Sequence, residues 1–155
     1  MNVTIRPLKE EDARTSVKWR NMPELWTYTT FKADHEITIE DELKWIRAVI
    51  KDPTSARFAI MADDDYVGNI YLTGLTKETG EYHIFIGNKA YWGKGIARKA
   101  SELIIDYGRE KLGLKTIILG VKPANVAAFH LYESLGFIKT GEEEGFTRMK
   151  LSLAG

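Results

Sequence analysis

Residues 91–100 read YWGKGIARKA, with two glycines, Gly93 and Gly95, one residue apart and a helix-forming stretch directly behind them. Ile96, Ala97, Ala100, Leu103, Ile104 and Tyr107 recur with helical spacing, so the segment predicts one apolar helix face ending near Gly113. Where a strand turns into such a helix, the first N–H groups are unpaired and lie at the positive end of the helix dipole. That arrangement suits phosphate, and glycine lets the backbone approach it closely. The elements on either side of this loop decide the fold.

Upstream, ARFAIMA, DYVGNIYLTGL and EYHIFIG are short, rich in β-branched and aromatic residues, and separated by DDD and KETG, which are turn chemistry. They predict an antiparallel meander. Before them, Val3, Ile5 and Pro7 alternate with polar residues as a first strand, and a helix follows from about Glu10 to Arg20. Asn21 and Pro23 break that helix ahead of a short helical turn near Glu24 to Tyr28. Thr38, with Asp41 three residues on, caps a helix that runs to about Lys51 and stops at Asp52-Pro53.

Downstream, TIILGV is nearly all apolar, as a strand buried on both faces would be, and its arrival after a helix crossover favours parallel pairing. Pro123 and Asn125 open a helix over roughly Val126 to Leu135, with Gly136 as its stop. FIKTGEEEGFTRMKLSL closes the chain as a hairpin. The expected class is α/β (α+β), in one domain over residues 1–155.

Composition narrows the function. Lysine plus arginine equals aspartate plus glutamate at 22 each, so no global basic field draws the chain to nucleic acid. The sequence has no cysteine, which excludes disulfides and thiolate metal sites. The N-terminal MNVTIRPLKEEDA lacks an apolar leader and no later run has the length of a membrane span, so a cytoplasmic chain without a membrane partner is expected. His35, His83 and His130 are isolated from one another and no HExxH occurs, so no metal is expected.

Three readings of the glycine loop compete. The dinucleotide fingerprint needs glycine or alanine where Arg98 stands, and an acidic residue that TIILGV does not supply. The P-loop pattern is nearly met by GNKAYWGKG, but Gly87 is one residue too far back and Gly95 replaces the hydroxyl that would hold magnesium. A phosphate loop of another kind, or a turn that binds nothing, remains on the residues alone.

WGKGIA, residues 92–97, resembles the pyrophosphate-binding motif of the GNAT acetyltransferase superfamily: Gly95 and Ala97 fill its last two fixed places, while Trp92 stands where Gln or Arg is usual. That departure resembles the branch of ribosomal-protein and amino-sugar N-acetyltransferases. About one strand later, NVAAFHLYESLGF, residues 125–137, is similar to the superfamily's second motif, in which an Asn opens a helix that carries a Tyr and ends in Gly-Phe. The resemblance covers the whole chain, because the element order matches too. It implies a mixed, mostly antiparallel sheet of about seven strands with a central parallel pair, flanked by about four helices.

The resemblance also implies direct transfer of acetyl from acetyl-coenzyme A to a primary amine in a ternary complex. Trp92, Gly93, Lys94, Gly95, Ile96 and Ala97 would meet the diphosphate, with Arg98 and Lys99 nearby. Ile84, Phe85 and Ile86 would lie on a strand that splays from its parallel neighbour and frees backbone groups for the pantetheine arm, which Asn125 would help to hold. Tyr132 matches the general acid. Glu81 stands where many relatives carry a carboxylate that takes the amine proton through water, and His83, on the same strand face, is the second candidate base. A base or water relay is needed because a lysine-like amine, with a pKa near about 10, is mostly protonated at neutral pH.

The acceptor that the resemblance implies is an amine of a small molecule or peptide. The segment from Trp19 to Asp41 occupies the variable stretch that shapes the acceptor pocket in relatives, and its WRN-PE pattern resembles transferases of nucleotide-linked amino sugars, of protein N-termini and of polyamines without deciding among them. Glu36, Glu40, Asp41 and Glu42 could attract a cationic amine, or simply complement a helix dipole. A homodimer stays open, as does a coenzyme A-binding sensor without turnover.

Overall fold

The protein is described by a computed structural model over residues 1–27 and 35–153. Its strands are β1 (Val3–Pro7), β2 (Ala56–Ala62), β3 (Asp65–Thr73), β4 (Thr79–Ile86), β5 (Thr116–Val121), β6 (Ile138–Glu143) and β7 (Phe146–Ser152). They form one sheet in the order β1-β2-β3-β4-β5-β7-β6. Every neighbouring pair is antiparallel except β4 and β5. The parallel step falls where a helix forms the crossover, since such a connection needs a dozen or more residues, while short hairpins join β2 to β3, β3 to β4 and β6 to β7.

The helices are α1 (Ala13–Arg20), α2 (Ile39–Ile50), α3 (Ile96–Glu110) and α4 (Val126–Ser134). Three-residue and four-residue 3₁₀ turns precede and follow α1, at Glu10–Asp12 and Pro23–Trp26. The expected helix from Glu10 is thus a tight turn that hands over to α1, and Tyr28, the expected end of the second turn, lies outside the described residues. The cap of α2 is reciprocal: Asp41 N–H donates to Thr38 Oγ1 and Thr38 N–H to Asp41 Oδ2, both at 3.1 Å.

Alternation along the strands separates two cores. Phe58, Ile60, Ile70, Leu72, Tyr82 and Ile117 pack with Ile96, Ile104, Tyr132 and Phe137 of the α3 and α4 side. Ala59, on the opposite face of β2, packs with Ile46 of α2, Ala13 of α1 and Leu8. The α3 face is rotated slightly from its expected position: Ser101, Ile105 and Gly108 are buried, whereas Leu103 and Tyr107 are only partly so. Tyr107 lies edge-on to Phe58 near the core margin.

TIILGV corrects a further expectation. Ile117, Leu119 and Val121 are buried, but Thr116, Ile118 and Gly120 are partly exposed, so β5 is covered on one face. Among the described residues, α1 and α2 pack over the β1–β4 end of the other face and not over β5.

Candidate active site

The parallel pairing of β4 with β5 covers three positions, Thr79–Thr116, Gly80–Ile117 and Glu81–Ile118, and then stops. Beyond that point β4 continues along β3, from Leu72–Tyr82 to Gly68–Ile86, and β5 continues along β7, from Leu119–Met149 to Val121–Thr147. The two strands therefore diverge, and their facing edges, residues 82–86 and 119–121, bound a wedge in the middle of the sheet. Backbone N–H and C=O groups on such edges require partners. At the wide end, Trp92 Nε1–H donates to the carbonyl of Ile86 at 2.8 Å, which ties the glycine loop to the end of β4. Of Ile84, Phe85 and Ile86, the last thus has its carbonyl already engaged.

At that wide end α3 begins. Gly93 and Gly95 have φ of 73° and 78°, left-handed values that cost other residues about 1 kcal/mol or more. Gly95 is the N-cap of α3 and brings no side chain to its free N–H groups. In α2 and α4 the capping side chains of Thr38 and Asn125 perform that task. The first turn of α3 has no acidic residue, and nothing within 4 Å would meet a Cβ at Gly93 or Gly95. A bare, cationic helix start facing open space is an anion cradle.

Lys94 and Lys99 are exposed beside the cradle, while Arg98 is drawn toward α4 by a 2.5 Å bond to Ser134 Oγ. Ile96 is buried and offers the cradle only its N–H, and the Ala97 carbonyl accepts from Ser101 Oγ at 2.6 Å. Asn125 Oδ1 accepts from Ala128 N–H at 3.3 Å, so its oxygen serves the helix cap.

Side chains of β4 alternate across the sheet. Glu81 and His83 lie on the α1–α2 face. Glu81 is held between two partners, with Oε2 at 3.6 Å from His83 Nε2 and Oε1 at 3.6 Å from Arg148 Nη2. His83 Nε2 also shares a 3.0 Å hydrogen bond with Thr73 Oγ1. Desolvation on the sheet face pulls the imidazole below its ordinary value, and Glu81 opposes this; with 45% of the side chain exposed, solvent screens the effect. His83 is therefore neutral near pH 7, able to accept a proton. Arg148 crosses over Gly120, where an added Cβ would come within 2.8 Å of Nη1, so the small residue in β5 lets the guanidinium reach Glu81.

Tyr132 lies on the other face. Its ring meets that of Tyr82 edge-on at 5.4 Å, and Tyr82 Oη and Ser101 Oγ are 2.6 Å apart. Burial pushes the Tyr132 phenol up to about 12, with hydrogen bonding to Tyr82 opposing it. The hydroxyl is thus fully protonated at neutral pH, and its ring packs against that of Tyr82, whose own hydroxyl is tied to Ser101 at the first turn of α3.

Sequence reading did not single out Arg148, Thr73, Tyr82 or Ser101. Arg148 and Thr73 become neighbours of Glu81 and His83 only through pairing across the sheet. The Tyr82 alternation opposite Glu81 and His83 is visible in EYHIFIG, but its Ser101 partner is not. Among the described residues no group of three or more His, Asp or Glu side chains is placed to hold a metal ion, and no helix is long and apolar enough to cross a membrane.

Residues 2–138 match the family model described as the acetyltransferase (GNAT) domain. Among curated proteins the chain is 32% identical to spermidine N(1)-acetyltransferase of Escherichia coli K12, over 91% of this chain and 75% of that one. It is 24% identical to the acetyltransferase PseH of Campylobacter jejuni, covering 90% of this chain and 85% of the other. Among solved structures, spermidine N-acetyltransferase from Vibrio cholerae in complex with CoA and spermine superposes with a TM-score of 0.86 at 25% identity, over 98% of this chain and 96% of that one. The wedge, the bare helix start and the tyrosine behind them thus occur in a chain that belongs to the GNAT family, the N-acetyltransferases that use acetyl-coenzyme A to acetylate amines.

Proposed function

We propose that the acetyl thioester lies in the wedge between β4 and β5, with the amine entering from the Glu81 face and the thiol leaving toward Tyr132. The observation that carries this reading is the end of β4–β5 pairing at Glu81–Ile118, beside the uncapped start of α3. The diphosphate would take the N–H groups of residues 93–97, and the pantetheine arm would pair with the edge of β4 near Ile84 and Phe85.

Glu81 removes a proton from the incoming ammonium, directly or through water, and His83 is the second acceptor. The freed nitrogen forms its bond to the carbonyl carbon. The nitrogen gives up its second proton to water, collapse of the tetrahedral intermediate breaks the carbon–sulfur bond, and the Tyr132 phenol gives its proton to sulfur. Against a thiol near about 8.5, a phenol near 12 donates uphill by roughly 5 kcal/mol, so the proton moves as sulfur departs and not before. Solvent then returns a proton to the transient phenolate. One domain over residues 1–155 suffices for these roles.

The test is Tyr132→Phe, which keeps the ring against Tyr82 and Phe137 and deletes only the donor. Coenzyme A affinity and folding are expected to stay close to parental while kcat falls on the order of 10- to 1000-fold. Full activity, with chemistry shown to limit the rate, would reduce Tyr132 to a packing residue.

A further inference from the structure

On the α1–α2 face, Arg57 is a partly buried cation with no ion pair among the described residues. Among the described residues four arginines are partly buried, namely Arg6, Arg20, Arg57 and Arg148. Arg6 pairs with Asp12 at 2.7 Å, Arg20 with Glu42 at 3.2 Å and Arg148 with Glu81 at 3.6 Å. Arg57, on β2, has no carboxylate within ion-pair distance among the described residues. Its Nε donates to Ser55 Oγ at 3.4 Å, and its guanidinium lies 4.4 Å above the Tyr71 ring and 5.4 Å from that of Trp45. The nearest acid that acts on it, Asp52, is engaged by the N–H and hydroxyl of Thr54. Burial opposes the charge, and the Tyr71 hydroxyl, Asp52 and the aromatic rings offset that only in part.

The sheet register aims this cation at the reaction. Arg57 pairs with Tyr71, and Tyr71 with His83, so the three form one row across β2, β3 and β4. Leaning over Tyr71, the guanidinium faces the flank of the candidate base, and its charge acts on His83. The other charged groups of this face near the wedge are Glu81, Arg148 and Lys150, while the neighbouring Glu42 lies in its pair with Arg20. Among the described residues beside the wedge, Glu81 thus stands against three cations, Arg57, Arg148 and Lys150.

We infer that the acetyl acceptor is an amine that also carries an acidic group, a carboxylate or phosphate, and that Arg57 binds that group. This rests on the transferase reading above and supplies its substrate class. A guanidinium fork suits either oxyanion, because both accept paired N–H donors. Strand spacing sets the length of the acceptor: amine and anion are separated by roughly 5–10 Å, one to two strand spacings. That span fits a sugar ring or a dipeptide and exceeds a free α-amino acid.

The test compares amines that differ only in the anion. Glucosamine 6-phosphate is paired with glucosamine, and glycylglycine with glycylglycinamide, with spermidine as the polycation. At least one anionic member is expected to exceed its neutral congener about tenfold or more in kcat/KM, mainly through KM, and the pair that responds tells phosphate from carboxylate. Arg57→Gln is expected to bring that ratio near unity, chiefly by raising KM for the anionic member, while coenzyme A affinity stays parental. Arg57→Lys should restore part of the preference. Spermidine turning over faster than every anionic amine, or a ratio unchanged in Arg57→Gln, overturns the inference. Calorimetry of glucosamine 6-phosphate and glycylglycine on coenzyme A-saturated protein separates the two levels of the account. Arg57-dependent binding without acetylation of any amine would retain the anion site and overturn the transferase reading, whereas acetylation without anion preference would do the reverse.

Discussion

Glu81 has two cationic or protonatable partners, Arg148 and His83, each 3.6 Å away and therefore close enough to polarise it without a formed hydrogen bond. This looseness suits a group that must take up a proton and release it again. Glu81→Gln is expected to lower the rate most at pH values below the pKa of the amine, where free base is scarce, and rate–pH profiles of variant and parent check this. Identical profiles would transfer the role to His83. Since burial lowers the His83 pKa, its neutral form persists below the usual histidine range, and His83→Gln would then remove an acid limb. Arg148→Gln is expected to weaken the hold on Glu81 and shift the same limb, with little change in coenzyme A affinity.

At the scale of elements, the loop between β4 and α3 makes the sharpest prediction. Gly95→Val places a β-branched residue at φ 78° in front of the bare helix start. Coenzyme A affinity is expected to fall about tenfold or more, since strain and an intruding side chain both act at the anion cradle; calorimetric titration reads this out, and parental affinity would leave a turn that binds nothing. This loop was legible in the sequence because glycine spacing, the apolar stripe of α3 and Asn125 as a cap are local patterns. The β4–β5 divergence was not, because strand patterns carry no signal of where pairing ends; only the resemblance implied it. TIILGV shows the same limit. Its alternate residues are all compatible with burial, and the open face of β5 follows from where α1 and α2 pack, which composition does not encode.

For the molecule as a whole, the buried phenols tie stability to alkaline pH. Tyr71 and Tyr132 are pushed up to about 12 by burial, and Tyr82 is raised for the same reason. A phenol held neutral in the fold contributes stability in full below its ordinary value of about 10, and that contribution is lost as pH rises through the folded value. Denaturant midpoints are therefore expected to decline between about pH 10 and 12, and a variant with both Tyr82→Phe and Tyr132→Phe to decline less. The Tyr132 shift also illustrates what one-dimensional reading lacks: the motif supplies a tyrosine acid with an ordinary pKa near about 10, while the packing of Tyr82 and Phe137 around it makes the acid weaker. The central claim is that this sheet, split at Glu81–Ile118, transfers acetyl to an amine within one ternary complex. The most direct measurement is thiol release from acetyl-coenzyme A with and without amines, followed alongside the mass of each amine. The account predicts thiol released in step with acetylated amine and negligible release without one. Tight coenzyme A binding with no amine-dependent release across phosphorylated amino sugars, peptides and polyamines would contradict it and leave a coenzyme A sensor.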